Sequence, residues 1–213
     1  MELPLFPLHV VLFPGRPLPL HLFEPRYRRM LADCMAADRR FGVVAIRAGR
    51  EVGDAADIFS VGTVARIETV EERPDGRFDI LSRGLQRFRV RALMPGTPYL
   101  RARVDLIEEP RCDATDHACA RRVRSLLLPY LAALGAPAQL LERIPSEPNE
   151  LAYLAAAAVQ VEVPEQQQLL EYDSTAKRLA AALRVLRRET GLMRHFGTVG
   201  SLRPPDPCGS ELN

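Results

Sequence analysis

The sequence predicts an α+β fold in which a mostly antiparallel, partly closed β-lobe precedes a bundle of helices. Three observations carry that reading. Up to Pro110, short apolar segments alternate with turn signals; after it, apolar residues recur at spacings of three and four; and from Gly197 onward little can be buried. The expected organisation is a β-rich lobe over residues 1–110, a helical subdomain over 111–196 and a flexible tail over 197–213.

The elements follow in order. Leu3-Pro4-Leu5-Phe6-Pro7-Leu8 and Leu18-Pro19-Leu20-His21-Leu22-Phe23 read as edge-type strands, because proline removes a ladder donor. Phe13-Pro14-Gly15 turns the chain between them. Glu24-Pro25 suits a helix start, and Tyr27, Met30, Leu31 and Cys34 give a helix over Pro25 to Met35 its apolar stripe. Phe41 to Ile46 adds a strand. Val61, Thr63, Ala65, Ile67 and Thr69 then share one face of an extended segment, with Arg66 and Glu68 on the other. The turn at Pro74-Asp75-Gly76 returns the chain, so residues 60 to 91 read as a long antiparallel pair, bent near Gly84 where a missing side chain permits a bulge. Tyr99 to Ile107 completes about six strands.

In the second half, Val123, Leu126, Leu127, Tyr130, Leu131 and Leu134 lie on one helical face that Gly135 and Pro137 bring to an end. Further helices are expected at 148 to 160, 164 to 172 and 174 to 190. Pro164 suits a first turn, Asp173 or Ser174 a cap, Leu179, Leu183 and Leu186 a buried stripe, and Gly191 a stop.

Composition excludes several classes. With 47% hydrophobic residues in 213 the chain can build a proper core, and a net charge of +2 marks neither a nucleic-acid binder nor a membrane-surface protein. No apolar run spans a bilayer and the start lacks a secretory pattern, so a cytoplasmic protein is expected. The four cysteines, Cys34, Cys112, Cys119 and Cys208, are too few and too irregular for a disulfide framework. Cys112, His117 and Cys119 share a short segment, yet a fourth zinc ligand is missing and Cys119 fits apolar filling at a helix start. No metal or cofactor is expected. His9, His21, His117 and His195 form no set with a nucleophile, and Glu71 and Glu72, adjacent on a strand, point to opposite faces.

The opening segment through Glu24-Pro25-Arg26-Tyr27-Arg28-Arg29-Met30-Leu31, followed by Val61-Gly62-Thr63-Val64-Ala65-Arg66-Ile67 and Ser82-Arg83-Gly84-Leu85-Gln86-Arg87-Phe88, resembles the N-terminal substrate-binding domain of the Lon protease family. The resemblance runs from residue 2 to residue 190. It implies a PUA-like β-lobe followed by helices, and a role in recognising protein substrates. The ATPase and serine-lysine peptidase of Lon proteases each need a lysine, whereas Lys177 is the one lysine here and no glycine-rich phosphate loop precedes it. Pairing of Lys177 with Ser174 or Ser201 is compatible with the spacing, but Lys177 also fits a solvated helix face. The expectation is a free-standing, non-catalytic module that binds unfolded or misfolded protein segments and works with a separate ATP-dependent protease.

Two surfaces are candidates. The turn Val10-Val11-Leu12-Phe13-Pro14-Gly15 carries large apolar side chains where a turn is usually polar, so Val11, Leu12 and Phe13 form either an exposed lip for peptide or a lid folded over the β-lobe. Leu93 and Met94 make a second apolar loop suited to varied partners. The alternative is RNA binding: Arg87, Arg89 and Arg91 alternate with Phe88 and Val90 and should leave one strand face, continued by Arg101 and Arg103. The acidic stretch from Glu51 to Asp79, with eight carboxylates against three arginines, can neutralise that face, which favours a solvated, salt-bridged surface over nucleic acid.

Overall fold

The structure, a computed structural model, describes residues 1–49, 57–96 and 98–196; the expected tail over 197–213 lies outside the described residues. The elements are β1 (Glu2–Leu8), β2 (Pro17–Leu22), α1 (Pro25–Met35), β3 (Arg40–Ala48), β4 (Asp57–Glu72), β5 (Phe78–Met94) and β6 (Arg101–Leu106), then α2 (Ala114–Ala133), α3 (Ala138–Glu142), α4 (Pro148–Ala158), α5 (Val163–Glu171) and α6 (Thr175–Phe196). The fold is α+β, as expected.

The strands form one sheet in the order β2-β5-β4-β3-β1-β6, and β5 pairs also with β6, so the sheet is ring-like without being a barrel. All pairings are antiparallel except β1 with β3. The length of β5 makes the ring possible. One of its edges follows β4, while the other is shared between β2 along Phe78 to Arg83 and β6 along Phe88 to Met94. Between those partners lies the bend. Thr63 opposes Arg87 but Ala65 opposes Gly84, so β5 holds one residue more than β4 there. The turn after β1 fills the gap: Gly15 N donates to Gly84 O at 2.8 Å and Gly84 N to Arg16 O at 2.9 Å. A Cβ on Gly84 would stand 2.5 Å from Phe13 O, so only glycine lets the two backbones meet.

Three apolar clusters hold the molecule. Inside the ring, Leu3, Leu5, Val44, Val64, Phe88, Ala102 and Val104 pack together. On its other side α1 places Tyr27, Met30, Leu31 and Cys34, its predicted stripe, against Phe6, Phe41 and Ile67. The helices α2, α4, α5 and α6 enclose the third, which also takes in Phe13 and Val61 from the β-region. Ser174 caps α6, its Oγ accepting from Lys177 N at 3.3 Å. Two helix expectations change. The short α3 lacks a buried stripe of its own and carried no periodic signal. α6 runs through Gly191 to Phe196, because Gly191 keeps a negative φ and an interior glycine costs only about 1 kcal/mol unless it adopts the left-handed cap.

Candidate binding cleft

The ring has a mouth where β4 and β5 part. Their pairing runs from Glu72 opposite Phe78 to Val61 opposite Arg89; beyond that, β5 continues with β6. The start of β4 stays with β3 through Ile58 opposite Ile46 and Asp57 opposite Ala48, and Phe59 to Val61 form a bulge before Gly62 opposes Val44. Asp57, Ile58, Phe59, Ser60, Val90 and Leu93 line the resulting cleft, of about 230 Å³.

Its apolar character follows from position. Ile58 and Val90 are partly buried side chains packed on the cluster inside the ring, so the floor of the cleft is the rim of a core. Val90 and Leu93 are three residues apart, a spacing that strict alternation sends to opposite faces. An extra β5 residue between the pairs Val90–Val104 and Ala92–Arg103 resets the phase and brings both to the cleft. Leu93 is 51% exposed, a large apolar side chain left in water beside other apolar side chains. The Arg47 guanidinium lies over the Phe59 ring at 5.0 Å, holding that ring by a cation–π contact. Other clefts are more polar: the one beside Met1 and Tyr99, of about 300 Å³, carries Asp33, Asp38, Arg40 and Arg101, and the groove between α5 and α6 is flanked by the Arg188–Glu165 ion pair.

The turn residues occupy the opposite situation. Leu12 is 5% and Phe13 1% exposed, and Val11 is half-buried against the helical cluster. Of the two arrangements open for this turn, Leu12 and Phe13 adopt the lid. The cause is the bend of β5: Thr63 Oγ1 donates to Leu12 O at 2.5 Å, the Gly84 contacts pin the turn, and Phe13 meets the Tyr153 ring at 6.4 Å between centroids. Val10, 48% exposed, is the turn's exposed apolar side chain. Leu93 and Met94 therefore provide the exposed member of the expected peptide-contact set, with Met94 half-buried.

The expected arginine face is broken as well. Arg87 is 1% exposed, because the helices cover the face of β5 opposite to Phe88. Its Nε donates to Glu109 at 2.7 Å and its Nη1 to the carbonyls of Leu170 and Tyr172, each at 2.7 Å. Arg178, equally buried, donates to Leu169 O at 3.1 Å and Tyr172 O at 2.7 Å and stacks over Tyr153 at 4.2 Å. Tyr153 Oη donates to Glu109. Burial raises the Tyr153 pKa and so keeps the phenol protonated as a donor, whereas it lowers the Arg178 pKa, a cost to the guanidinium charge that Glu109 partly offsets. Of the remaining arginines, Arg91 pairs with Asp105 at 2.6 Å and Arg101 with Glu2 at 3.3 Å, while Arg89 and Arg103 are exposed.

Nucleophile chemistry finds little support among the described residues. Burial, reinforced by Asp33 and Asp38, pushes the Cys34 thiol up to about 12, far from a thiolate at neutral pH. Lys177 pairs with Asp173 at 2.9 Å on the exposed start of α6. No three His, Cys, Asp or Glu side chains of the described residues are grouped to hold a metal ion, and none of the described helices is long and apolar enough to cross a membrane.

Sequence reasoning missed Ile58, Phe59 and Val90 as cleft residues, and Glu109, Tyr153 and Arg178 as partners of Arg87. The adjacent pair Ile58-Phe59 at a strand start was the available signal for the cleft. Nothing local pointed to Glu109.

The family model of the ATP-dependent protease La (LON) substrate-binding domain matches residues 2–188. The Lon protease of Anaeromyxobacter dehalogenans (strain 2CP-C) is 34% identical over 209 residues, covering 93% of this chain and 24% of its own length. Lon protease 2 of Myxococcus xanthus is likewise 34% identical over 209 residues, with 93% of this chain and 25% of that protein covered. The chain thus spans about a quarter of the length of the curated relatives it matches. Among solved structures, the Lon N-terminal domain protein from Xanthomonas campestris is similar with a TM-score of 0.65 at 26% identity, covering 86% of this chain and 98% of that one. The N-terminal domain of Mycobacterium avium complex Lon protease shares the fold with a TM-score of 0.73 at 19% identity, over 88% of this chain and 98% of its own. On the family match and these relatives together, the chain belongs to the LON substrate-binding domain family.

Proposed function

We propose that this chain acts as a non-catalytic module that binds unfolded or exposed apolar segments of other proteins, with the cleft around Leu93 and Met94 as the contact surface, and that it delivers them to an ATP-dependent protease. The observation that carries the reading is the cleft itself: an exposed leucine beside Phe59 and Val90, opening on the core of the β-ring. Family membership supports substrate binding as the task. Apolar area gains about 25 cal/mol per Å² on leaving water, so a cleft this small gives weak and broad recognition, which suits surveillance of many clients. The RNA alternative loses support from the geometry, because Arg87 is inside and Arg91 and Arg101 face carboxylates.

The test is binding of fluorescein-labelled, reduced and carboxymethylated α-lactalbumin, followed by anisotropy. Leu93→Asp is expected to weaken it by roughly tenfold or more, because a carboxylate would have to be desolvated in the cleft, while thermal unfolding moves little. Unchanged binding by Leu93→Asp would sink the proposed contact surface.

A further inference from the structure

An open sheet edge lies along one wall of the same cleft. Past Val61, the side of β4 that faces β5 has no partner strand among the described residues, although Asp57 to Ser60 remain extended; on the other side Asp57 and Ile58 pair with β3, and Phe59 to Val61 bulge away from it. A strand edge with unmatched N–H and C=O groups is a template for another strand, and proteins ordinarily cover it, shorten it or charge it. Here Ser60 and Asp57 are the exposed residues along it, Phe59 is held by Arg47, and the apolar floor of Ile58 and Val90 lies directly beneath. The edge and the floor together match an extended chain: main-chain groups for the edge, and a large apolar side chain for the hollow.

Charge narrows the occupant. Arg89 sits where the β4–β5 pairing stops, and Arg103 is opposite Ala92 on the neighbouring strand; both are exposed and neither has a carboxylate within ion-pair reach among the described residues. Asp57, on the cleft wall, is 3.8 Å from Arg47, a pair that accounts for its charge. Among the described residues the rim beside β5 is therefore net positive, which favours a segment with a carboxylate next to its apolar residue.

We propose that an extended polypeptide segment of another protein, with one large apolar side chain flanked by an acidic residue, adds as a β-strand to the Asp57–Ser60 edge of β4 and seats that side chain between Phe59, Val90 and Leu93. This rests on the substrate-binding reading above and specifies its mode. Strand addition explains how a small cleft can serve many clients: the main chain is common to all of them, and only one pocket reads a side chain.

The experiment uses the full chain and a fluorescein-labelled peptide, Thr-Val-Thr-Asp-Phe-Asp-Thr-Val-Thr, with two backbone-methylated versions. One carries N-methyl groups on the odd-numbered peptide positions, the other on the even-numbered ones. In a strand, successive N–H groups point to opposite sides, so an added strand uses one set and leaves the other in water. One methylated version is expected to lose binding roughly tenfold or more, through loss of several main-chain hydrogen bonds, and the other to bind like the parent. Replacing both Asp residues by Lys should weaken the parent peptide, and Leu93→Asp should abolish its binding. If both methylated peptides bind like the parent while Leu93→Asp still fails to bind, strand addition is wrong and the substrate-binding reading survives. If Leu93→Asp binds the parent peptide normally, that reading falls and strand addition with it.

Discussion

Phe13 shows how an apolar turn becomes core. Its side chain lies among Val61, Tyr153 and the helical cluster, while its carbonyl rests against the bare Cα of Gly84. The residue thus belongs to the turn in sequence and to the helices in packing. Because the aromatic ring is enclosed, Phe13→Ala leaves a cavity and is expected to lower stability by about 3–5 kcal/mol, measured by urea unfolding. A loss below about 1 kcal/mol would mean that the turn swings free of the core in solution. Leu93 is the contrasting residue, apolar and half in water, and only the three-dimensional structure separates the two. Their local sequences, Leu12-Phe13-Pro14-Gly15 and Leu93-Met94-Pro95-Gly96, are near copies of one another.

The start of α2 illustrates the same point for an element. The segment from Cys112 to Cys119 invites a metal reading, but Asp113 is the N-cap. Its Oδ1 accepts from Asp116 N at 2.8 Å, and Asp116 Oδ2 accepts from Asp113 N at 3.0 Å, closing a capping box. Asp113→Ala is expected to cost about 1 kcal/mol, and Asp113→Asn much less, by thermal unfolding. Equal losses from the two would show that charge, and not the cap hydrogen bond, holds the helix start. Elements of this kind were legible because their signals are local: the stripe of α1, the run from Val123 to Leu134 and the bend at Gly84 all lie within a few residues of one another. Register was not. That Val61 opposes Arg89 and that β4 is then abandoned depends on β6 capturing β5, a pairing between distant segments that no window of sequence displays. The cleft is a product of that register, so Leu93 could be suspected from its own apolar loop, Ile58 and Phe59 offered only their adjacency at a strand start, and Val90 offered nothing local. Arg87 was misplaced for a related reason, since the helix end that covers its face of β5 comes from far along the chain.

At the scale of the molecule, Arg87 and Arg178 join the sheet to the helices. Arg87 comes from β5, Glu109 from the segment after β6, Tyr153 from α4 and Arg178 from α6, and the carbonyls of Leu169, Leu170 and Tyr172 come from the end of α5. Two guanidinium groups share one carboxylate, with the negative end of the α5 dipole supplying the balance. Gln167 adds a parallel tie, its Nε2 donating to Val61 O at 2.9 Å. A joint of this kind ties the helices to the sheet at β5, at Val61 of β4 and at the segment after β6. Its weak point is Glu109. Converting it to Gln leaves two buried cations with carbonyl partners alone, an uncompensated charge that is expected to cost about 3 kcal/mol. Arg89→Gln, at an exposed position on the same strand, should change stability by less than about 0.5 kcal/mol. Urea unfolding followed by far-ultraviolet circular dichroism and by tyrosine fluorescence separates the possibilities. Coincident transitions, shifted together by Glu109→Gln, are expected of a joint that makes sheet and helices one cooperative unit. Transitions already separate in the wild-type chain, or a midpoint that Glu109→Gln leaves in place, would show that the apolar contacts of Phe13 and Val61 suffice and that the buried ions do not hold the two halves together.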